Sequence, residues 1–116
     1  MADMPLITAC AVTYNSRQHI RGVLSSLFES TLARAMAVYV VDNASADETP
    51  RLVQEGFPQA TLIQLPDNRG FGHGHNQVLP LLSSSYHLVV NPDITFAPNL
   101  LEEMVAYLEA HRDVCL

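Results

Sequence analysis

Two carboxylates follow apolar runs that have the composition of buried β-strands. Asp42 comes directly after the run 38–41, and Asp93 comes three residues after the run 87–90. Continuous runs rich in β-branched residues are typical of strands buried on both faces of a parallel sheet. Ligands of open α/β sheets bind just beyond the carboxyl ends of such strands. Two carboxylates in that place favour a metal ion or a polar, phosphate-bearing ligand.

Asp93 lies in a turn that the preceding proline favours. Pro92 has no N–H and disfavours continuation of the strand, so we expect Asp93 to project toward the crevice. One carboxylate together with ligand phosphates and water is the usual environment of Mg²⁺ or Mn²⁺. A solvated turn without a ligand is the alternative interpretation of Asn91-Pro92-Asp93.

Tyr14 and Asp42 each have a binding interpretation and a structural one. Tyr14 follows the first predicted strand, where its ring could stack on a base or pack at the margin of the core. Asp42 could accept a hydrogen bond from a nucleobase or ribose, or could bind its own backbone in a turn. The residues by themselves leave both questions open.

The glycine-rich segment 70–76 is not a dinucleotide-binding fingerprint. Its third glycine is misplaced, and it follows a loop rather than the first strand. His73 and His75 could bind a metal, but no cysteine or nearby acidic residue completes such a site. The third interpretation is a loop and helix N-terminus near a ligand phosphate or sugar, with Arg69 adding positive charge.

These residues must be positioned by alternating strands and helices. Strands are predicted over 6–13, 37–42, 60–65 and 86–91, and helices over 17–30, over 46–55, after the loop 66–70, and from Pro98 onward. This alternation predicts an α/β fold with right-handed crossovers and a parallel sheet.

Local patterns predict how the helices begin and which faces they bury. Asn15 or Ser16 is expected to cap the first helix, and Ser45–Glu48 matches a capping box. Asp47 and Glu48 are then surface charges that complement the helix dipole. The third helix is expected to bury an apolar face formed by Val78, Leu79 and Leu82. The last helix is expected to bury a face formed by Leu101, Met104, Val105 and Leu108.

Composition excludes several classes of protein. The 116 residues are 48% hydrophobic and 16% charged, which suits one folded domain. A formal net charge of −6 argues against nucleic-acid partners and against direct membrane binding. No apolar run is long enough for a transmembrane helix. Cys10 is expected to be a buried free thiol, and the two cysteines of the sequence have no metal-type spacing. The cytoplasm, which keeps thiols reduced, is the expected location.

Residues 113–116 resemble the opening of another strand. We therefore expect residues 1–116 to be the N-terminal part of a domain that continues beyond residue 116. A sheet that ends early leaves a strand edge or an apolar face uncovered, through which self-association can occur. A complete domain with a frayed tail is the alternative.

Four stretches, taken together and in order, resemble the nucleotide-binding half of family 2 glycosyltransferases, especially the rhamnosyltransferase-like branch. They are Val12–Ser16, Val40–Asp47, 68–72 with Asn76, and Val90–Asp93, and they span nearly the whole chain. The resemblance implies a truncated GT-A fold, a Rossmann-like three-layer αβα architecture with a mainly parallel sheet. In that fold the first strand lies between the second and the fourth.

The resemblance also implies a binding site for the nucleotide of a sugar donor. Thr13, Tyr14 and Asn15 would belong to this site, with Thr13 and Tyr14 lining the base pocket and Tyr14 stacking on uracil or thymine. Asp42 would accept a hydrogen bond from the base.

Further along the donor, Asn68, Arg69 and Gly70 would lie against the nucleotide. Asp93 would bind the metal as part of the DxD motif of the family. Asn91 replaces the first acid of that motif and would contact the donor, a form that is common in this branch.

The activity implied is transfer of a sugar, with inversion, from a UDP- or dTDP-sugar to a glycan or lipid-linked acceptor, assisted by Mg²⁺ or Mn²⁺. The catalytic base and most of the acceptor site would lie beyond Leu116. This chain would then hold mainly a donor half-site and be inactive alone. The parent enzyme would build polysaccharide in the cytoplasm, with the inner face of the membrane as an alternative location.

Two other classes fit the residues less well, and a third stays open. A nucleotidyltransferase would carry a glycine-rich, basic loop where this chain has Tyr14–Arg17. A receiver-type signalling module would need acids directly after the first strand and a lysine on a late strand. A degenerate, non-catalytic nucleotide-binding or interaction domain is the remaining alternative, and metal-dependent nucleotide binding would argue against it.

Overall fold

The computed structural model describes residues 4–114, which form a four-stranded sheet flanked by helices. The strands are β1 (Ile7–Thr13), β2 (Met36–Asp42), β3 (Thr61–Gln64) and β4 (Tyr86–Val90). The helices are α1 (Ile20–Phe28), α2 (Thr49–Gly56), α3 (Phe71–Asn76) and α4 (Leu100–Ala110), with 3₁₀ turns at Ala33–Ala35 and Leu79–Leu81. All three strand pairings are parallel, which confirms the predicted α/β class.

The order of the strands is β3-β2-β1-β4, so β1 lies between β2 and β4 as the resemblance implied. From β1 the chain moves in one direction to β2 and β3, with α1 and α2 on one face. It then returns past β1 to β4, and a right-handed crossover places α3 on the opposite face. The direction of winding therefore reverses between β1 and β4, which is where ligands bind in open α/β sheets.

The sheet separates two hydrophobic clusters of unequal size. In the larger cluster the apolar stripe of α1 packs against β1 and β2, and α2 and α4 also contribute. The α1 residues are Ile20, Val23, Leu24 and Leu27, and the strand residues include Ala9, Ala11, Val38 and Val40. The smaller cluster lies on the face covered by α3 and contains Cys10, Val12, Val41 and Val78. Cys10 is a buried free thiol, as predicted, and burial raises its pKa to about 12.

The predicted helix caps were wrong. Helix α1 begins at Ile20, and within the described chain no side chain caps it; the carbonyl of Ser16 instead accepts the N–H groups of His19 and Ile20 at 2.9 Å. Helix α2 begins at Thr49 rather than 46, because the Ser45 hydroxyl is bound to Asp42 and does not form a capping box.

Later in the chain the helices are shorter than predicted. Helix α3 ends at Asn76, so Val78 is buried while Leu79 is 52% exposed, and the two do not share a buried helical face. Helix α4 begins at Leu100, two residues after the predicted start at Pro98. Its residue Leu101 is buried and the other predicted inward residues are half-buried.

The prediction that β4 is buried on both faces was also wrong. Val89 is 54% exposed, and no strand among the described residues pairs with the outer side of β4. A groove of about 660 Å³ runs between this edge and α4, lined by residues that include Tyr86, Leu88 and Met104. An uncovered edge was expected, but self-association through it stays a prediction.

Two remaining predictions concern the chain end and the membrane. Asp113 lies in a turn, and the rest of the strand predicted at 113–116 falls mainly on residues outside the described range. None of the helices in residues 4–114 is long and apolar enough to cross a bilayer.

Substitutions at two glycines of α3 test how closely this helix packs on the sheet. A Cβ on Gly74 would lie 2.7 Å and 2.9 Å from the methyl carbons of Val12. We expect Gly74→Ala to lower the free energy of unfolding by about 1–3 kcal/mol, as overpacking does. Gly72→Ala is the matched control, because its Cβ would meet nothing within 4 Å among the described residues.

Urea denaturation measures both variants. Since alanine favours a helix, Gly72→Ala should leave stability unchanged or raise it by up to about 1 kcal/mol. Equal effects of the two substitutions would contradict the close approach of α3 to β1.

Candidate functional site

The carboxyl ends of β1, β2 and β4 lie side by side at one end of the sheet. The register pairs Thr13 with Asp42 and Ala11 with Val90, so the residues that follow these strands emerge together. Four loops surround these carboxyl ends, and we call them the crevice loops: 14–19, 43–48, 65–70 and 91–99.

Asp42 is the buried centre of this region, with 1% of its surface exposed. Its Oδ1 accepts hydrogen bonds from the hydroxyls of Thr13 at 2.7 Å and Ser45 at 2.6 Å, and its Oδ2 accepts the N–H of Ser45 at 2.9 Å. A buried carboxylate requires such donors, because its transfer out of water without new hydrogen bonds costs free energy. The carboxylate thus joins β1 to the loop after β2. Three protein donors therefore already occupy this carboxylate, and its contact with a base stays a prediction.

Asn15 uses its polar groups to hold the first two crevice loops together. Its backbone has φ 50°, a left-handed conformation that asparagine tolerates better than most residues. Its N–H donates to the Ser45 hydroxyl at 2.8 Å, and its Oδ1 accepts the N–H of Ala46 at 2.9 Å. The structure therefore gives the Asn15 side chain a role in shaping the loop.

Tyr14 is the aromatic residue of the first crevice loop, and it is 53% exposed. Thr13, directly before it, is fully buried and donates its hydroxyl to Asp42. An exposed aromatic ring on a hydrogen-bonded loop is free to stack on a flat ligand. Of the two residues predicted to line a base pocket, Tyr14 has the accessible side chain.

The third crevice loop is shaped by Asn68 and Gly70. The Asn68 Oδ1 accepts the N–H of Gly70 at 2.9 Å, and Gly70 has φ 94°, which favours glycine because it lacks Cβ. The Gly70 carbonyl accepts a hydrogen bond from the Asn43 Nδ2 at 3.1 Å, so this loop is tied to the second one.

Arg69 lies on the same loop with an exposed guanidinium group. Its Nε is 3.2 Å from the carboxylate of Asp67, and both side chains are more than half exposed. Exposed ion pairs of this kind are weak, about 0–1 kcal/mol. The guanidinium can therefore leave Asp67 for a stronger anion such as a phosphate.

Asn43 is a candidate that the sequence did not reveal. It is buried, yet its Oδ1 has no hydrogen-bond donor among the described residues. A buried amide oxygen without a donor costs free energy, and such groups in proteins call for an explanation. In a sequence, an asparagine that follows a strand indicates only a turn. The burial of Asn43 and its missing donor become visible only in the folded structure.

Asn91 and Asp93 are both exposed in the turn that follows β4. In residues 4–114 no three His, Cys, Asp or Glu side chains come together as a metal site. One exposed carboxylate still fits Mg²⁺ or Mn²⁺ when ligand phosphates and water supply the other oxygens. Asp93 can thus hold a metal only together with a bound ligand.

The two histidines of the glycine-rich segment do not act as a pair. His73 contacts Gln77, whereas His75 is buried, packs against Phe71, and has no hydrogen-bond partner on either ring nitrogen in the described part of the chain. Burial, with a smaller effect of His87, keeps the pKa of His75 below its usual value. This arrangement favours a neutral, packed imidazole over a metal ligand.

A model of glycosyl transferase family 2 matches residues 8–116. A Mycobacterium tuberculosis N-acetylglucosaminyl-diphospho-decaprenol L-rhamnosyltransferase is 26% identical over 111 residues, which cover 86% of this chain and 36% of that protein. Succinoglycan biosynthesis protein ExoO of Rhizobium meliloti is 33% identical over 109 residues, which cover 92% of this chain and 31% of that protein.

Solved structures share the fold. S. aureus TarS 1-349 in complex with UDP-GlcNAc superposes with a TM-score of 0.81 and 27% identity, over 91% of this chain and 32% of that chain. The mannosyltransferase PcManGT from Pyrobaculum calidifontis, in complex with GDP-Man and Mn²⁺, superposes with a TM-score of 0.79 and 28% identity. The match covers 91% of this chain and 33% of that chain. The chain spans about a third of the length of these relatives. The expected GT-A fold is confirmed.

The stability of two aspartate variants tests the structural role of Asp42. Asp42→Ala leaves the hydroxyls of Thr13 and Ser45 without their acceptor, so we expect the free energy of unfolding to fall by about 2–3 kcal/mol. Asp93→Ala is the matched control, because it removes the same group from an exposed turn and should cost less than about 0.5 kcal/mol. Urea denaturation of both variants measures the difference, and equal stability would contradict the role assigned to Asp42.

Proposed function

Because this chain belongs to glycosyl transferase family 2, we propose that it forms the donor-binding part of a sugar-transferring enzyme. The donor is a nucleoside diphosphate sugar, and the acceptor is a glycan or a lipid-linked sugar. The observation that carries this proposal is the placement of the exposed Tyr14, Arg69 and Asp93 on three loops around one crevice. An aromatic ring, a guanidinium group and a carboxylate match the base, the diphosphate and a divalent cation.

The base of the donor lies against Tyr14, with uracil or thymine as the expected ring. Asn43 lies behind this surface, because its Oδ1 is buried, and its Nδ2 ties the second crevice loop to the carbonyl of Gly70. Asp42 acts behind them by holding Thr13 and Ser45. The solved complex of TarS with UDP-GlcNAc supports a uridine donor.

The diphosphate lies toward Arg69, Asn91 and Asp93. Arg69 offers charge-assisted hydrogen bonds to phosphate oxygens. Asp93 would hold Mg²⁺ or Mn²⁺ together with those oxygens, and Asn91 offers an amide in the position of the missing acid. When bound, the metal stabilises the charge that develops on the departing diphosphate. The PcManGT complex with GDP-Man and Mn²⁺ supports metal assistance.

Transfer also needs a base that removes the proton of the acceptor hydroxyl. No residue around the crevice loops is assigned that role, and we expect it in a part of the parent enzyme beyond Leu116. Inversion at the sugar carbon follows if that base acts from the face opposite the diphosphate. The chain alone is therefore expected to bind the donor without transferring its sugar.

Calorimetric titration with UDP and with dTDP, each in Mn²⁺ and in EDTA, tests this function. We expect Mn²⁺ to strengthen binding to the unaltered chain. In Asp93→Ala, affinity in Mn²⁺ should fall to the level measured in EDTA, because the carboxylate that completes the metal environment is gone. Asp113→Ala is the control, since it removes an exposed carboxylate from the turn after α4.

Two results would count against the proposal. Full Mn²⁺ dependence in Asp93→Ala would remove Asp93 from the metal site. The absence of binding to either nucleotide, with the fold intact by circular dichroism, would favour the alternative of a non-catalytic α/β interaction domain.

A further inference from the structure

We infer that Asp47 is a positioning residue for the Tyr14 side chain, acting through hydrogen bonds that fix the loop on which Tyr14 lies. This inference rests on the donor-binding function proposed above, because it concerns how the aromatic platform for the base is held. We call the hydrogen-bonded group of Asp47, Thr49, Ser16 and Arg17 the loop clasp.

The clasp connects two successive backbone N–H groups of the first crevice loop to one carboxylate. The Asp47 Oδ2 accepts the N–H of Arg17 at 3.2 Å. The Asp47 Oδ1 accepts the N–H of Thr49 at 2.9 Å and also its hydroxyl. The Thr49 hydroxyl oxygen in turn accepts the N–H of Ser16 at 3.0 Å. Thr49 is fully buried, so this link is shielded from water.

The clasp is the second of two anchors that flank Tyr14 in the chain. Thr13 is fixed by its pairing with Asp42, and the clasp fixes Ser16 and Arg17. Between these anchors Asn15 adopts φ 50°, and its bonds to Ser45 and Ala46 also hold this part of the loop. Tyr14 lies on the same short span, so the direction of its ring depends on both anchors.

Asp47 and the adjacent Glu48 differ in what they contact. Burial acts to raise the pKa of Asp47, but hydrogen bonds from Thr49 and Arg17 outweigh it, so the pKa lies below its usual value. The ionised carboxylate is the stronger acceptor. Glu48, in contrast, is exposed and pairs with Arg51 at 2.8 Å in solvent. The sequence predicted both acids to lie in the first turn of the helix, whereas α2 begins after them at Thr49, and Asp47 in addition binds the first crevice loop.

A loosened clasp should weaken nucleotide binding without removing any group that touches the nucleotide. Apparent affinity falls in proportion to the fraction of molecules whose loop has the binding conformation. If that fraction drops to a tenth, binding of UDP weakens about tenfold. This loss should depend on Tyr14, because the clasp acts through its ring.

A double-mutant cycle measures that dependence. The full chain, Asp47→Ala, Tyr14→Ala and the double variant are titrated with UDP and dTDP in EDTA, by NMR up to millimolar nucleotide. We expect Asp47→Ala to weaken binding about tenfold when Tyr14 is present and less than about twofold when it is absent. Glu48→Ala is the matched control and should bind like the unaltered chain. Equal losses in both backgrounds would overturn the positioning role.

Amide hydrogen exchange tests the clasp independently of any nucleotide. The N–H groups of Ser16 and Arg17 should exchange at least about tenfold faster in Asp47→Ala, while those of β1 stay protected. Unchanged exchange at Ser16 and Arg17 would overturn the clasp. If β1 also loses protection, Asp47→Asn, which keeps one acceptor oxygen, replaces Asp47→Ala in both measurements. If the unaltered chain binds neither nucleotide, the proposed function fails and hydrogen exchange alone decides on the clasp.

Discussion

The crevice at the carboxyl ends of the strands depends on one buried carboxylate between the two central strands. Asp42 is almost completely withdrawn from water, so the folded chain must supply hydrogen-bond donors to it. Thr13 supplies one from β1 and Ser45 supplies two from the loop after β2. Since Ser45 also binds the backbone of Asn15, the same centre determines the path of both loops. The exposed position of Tyr14 is a consequence of this arrangement.

The residues around the crevice fall into two groups with different tasks. In the first group, side chains such as those of Asn15, Asp42 and Asn68 are engaged by protein donors and shape the loops. In the second group, Tyr14 and Arg69 extend into solvent and are available to a ligand. Holding a binding loop in its final conformation lowers the cost of ordering it when the ligand arrives. The proposed donor site is therefore largely preformed.

Periodicity and composition were sufficient for the strands, for α1 and for the α/β class, because these features reflect burial along single elements. The strand order came from the resemblance to the family. Local patterns failed at the helix starts, where Ser45 matched a capping box but binds Asp42 instead. The Ser45 hydroxyl also accepts the N–H of Asn15, thirty residues earlier, and a single sequence does not display such a contact. The exposure of Val89 follows from the position of β4 at the end of the strand order, and the unsatisfied oxygen of Asn43 follows from packing in three dimensions; neither is visible in one sequence.

The most direct test of the account is an NMR titration of the chain with UDP that maps which backbone amides respond. The account predicts chemical-shift changes at the carboxyl ends of β1, β2 and β4, in residues 14–17, 43–46, 67–71 and 91–93. These segments are far apart in the sequence and meet only in the fold, so their joint response would locate the donor at the switch point of the sheet. Changes confined to the groove between β4 and α4, or no changes at millimolar UDP, would contradict the account.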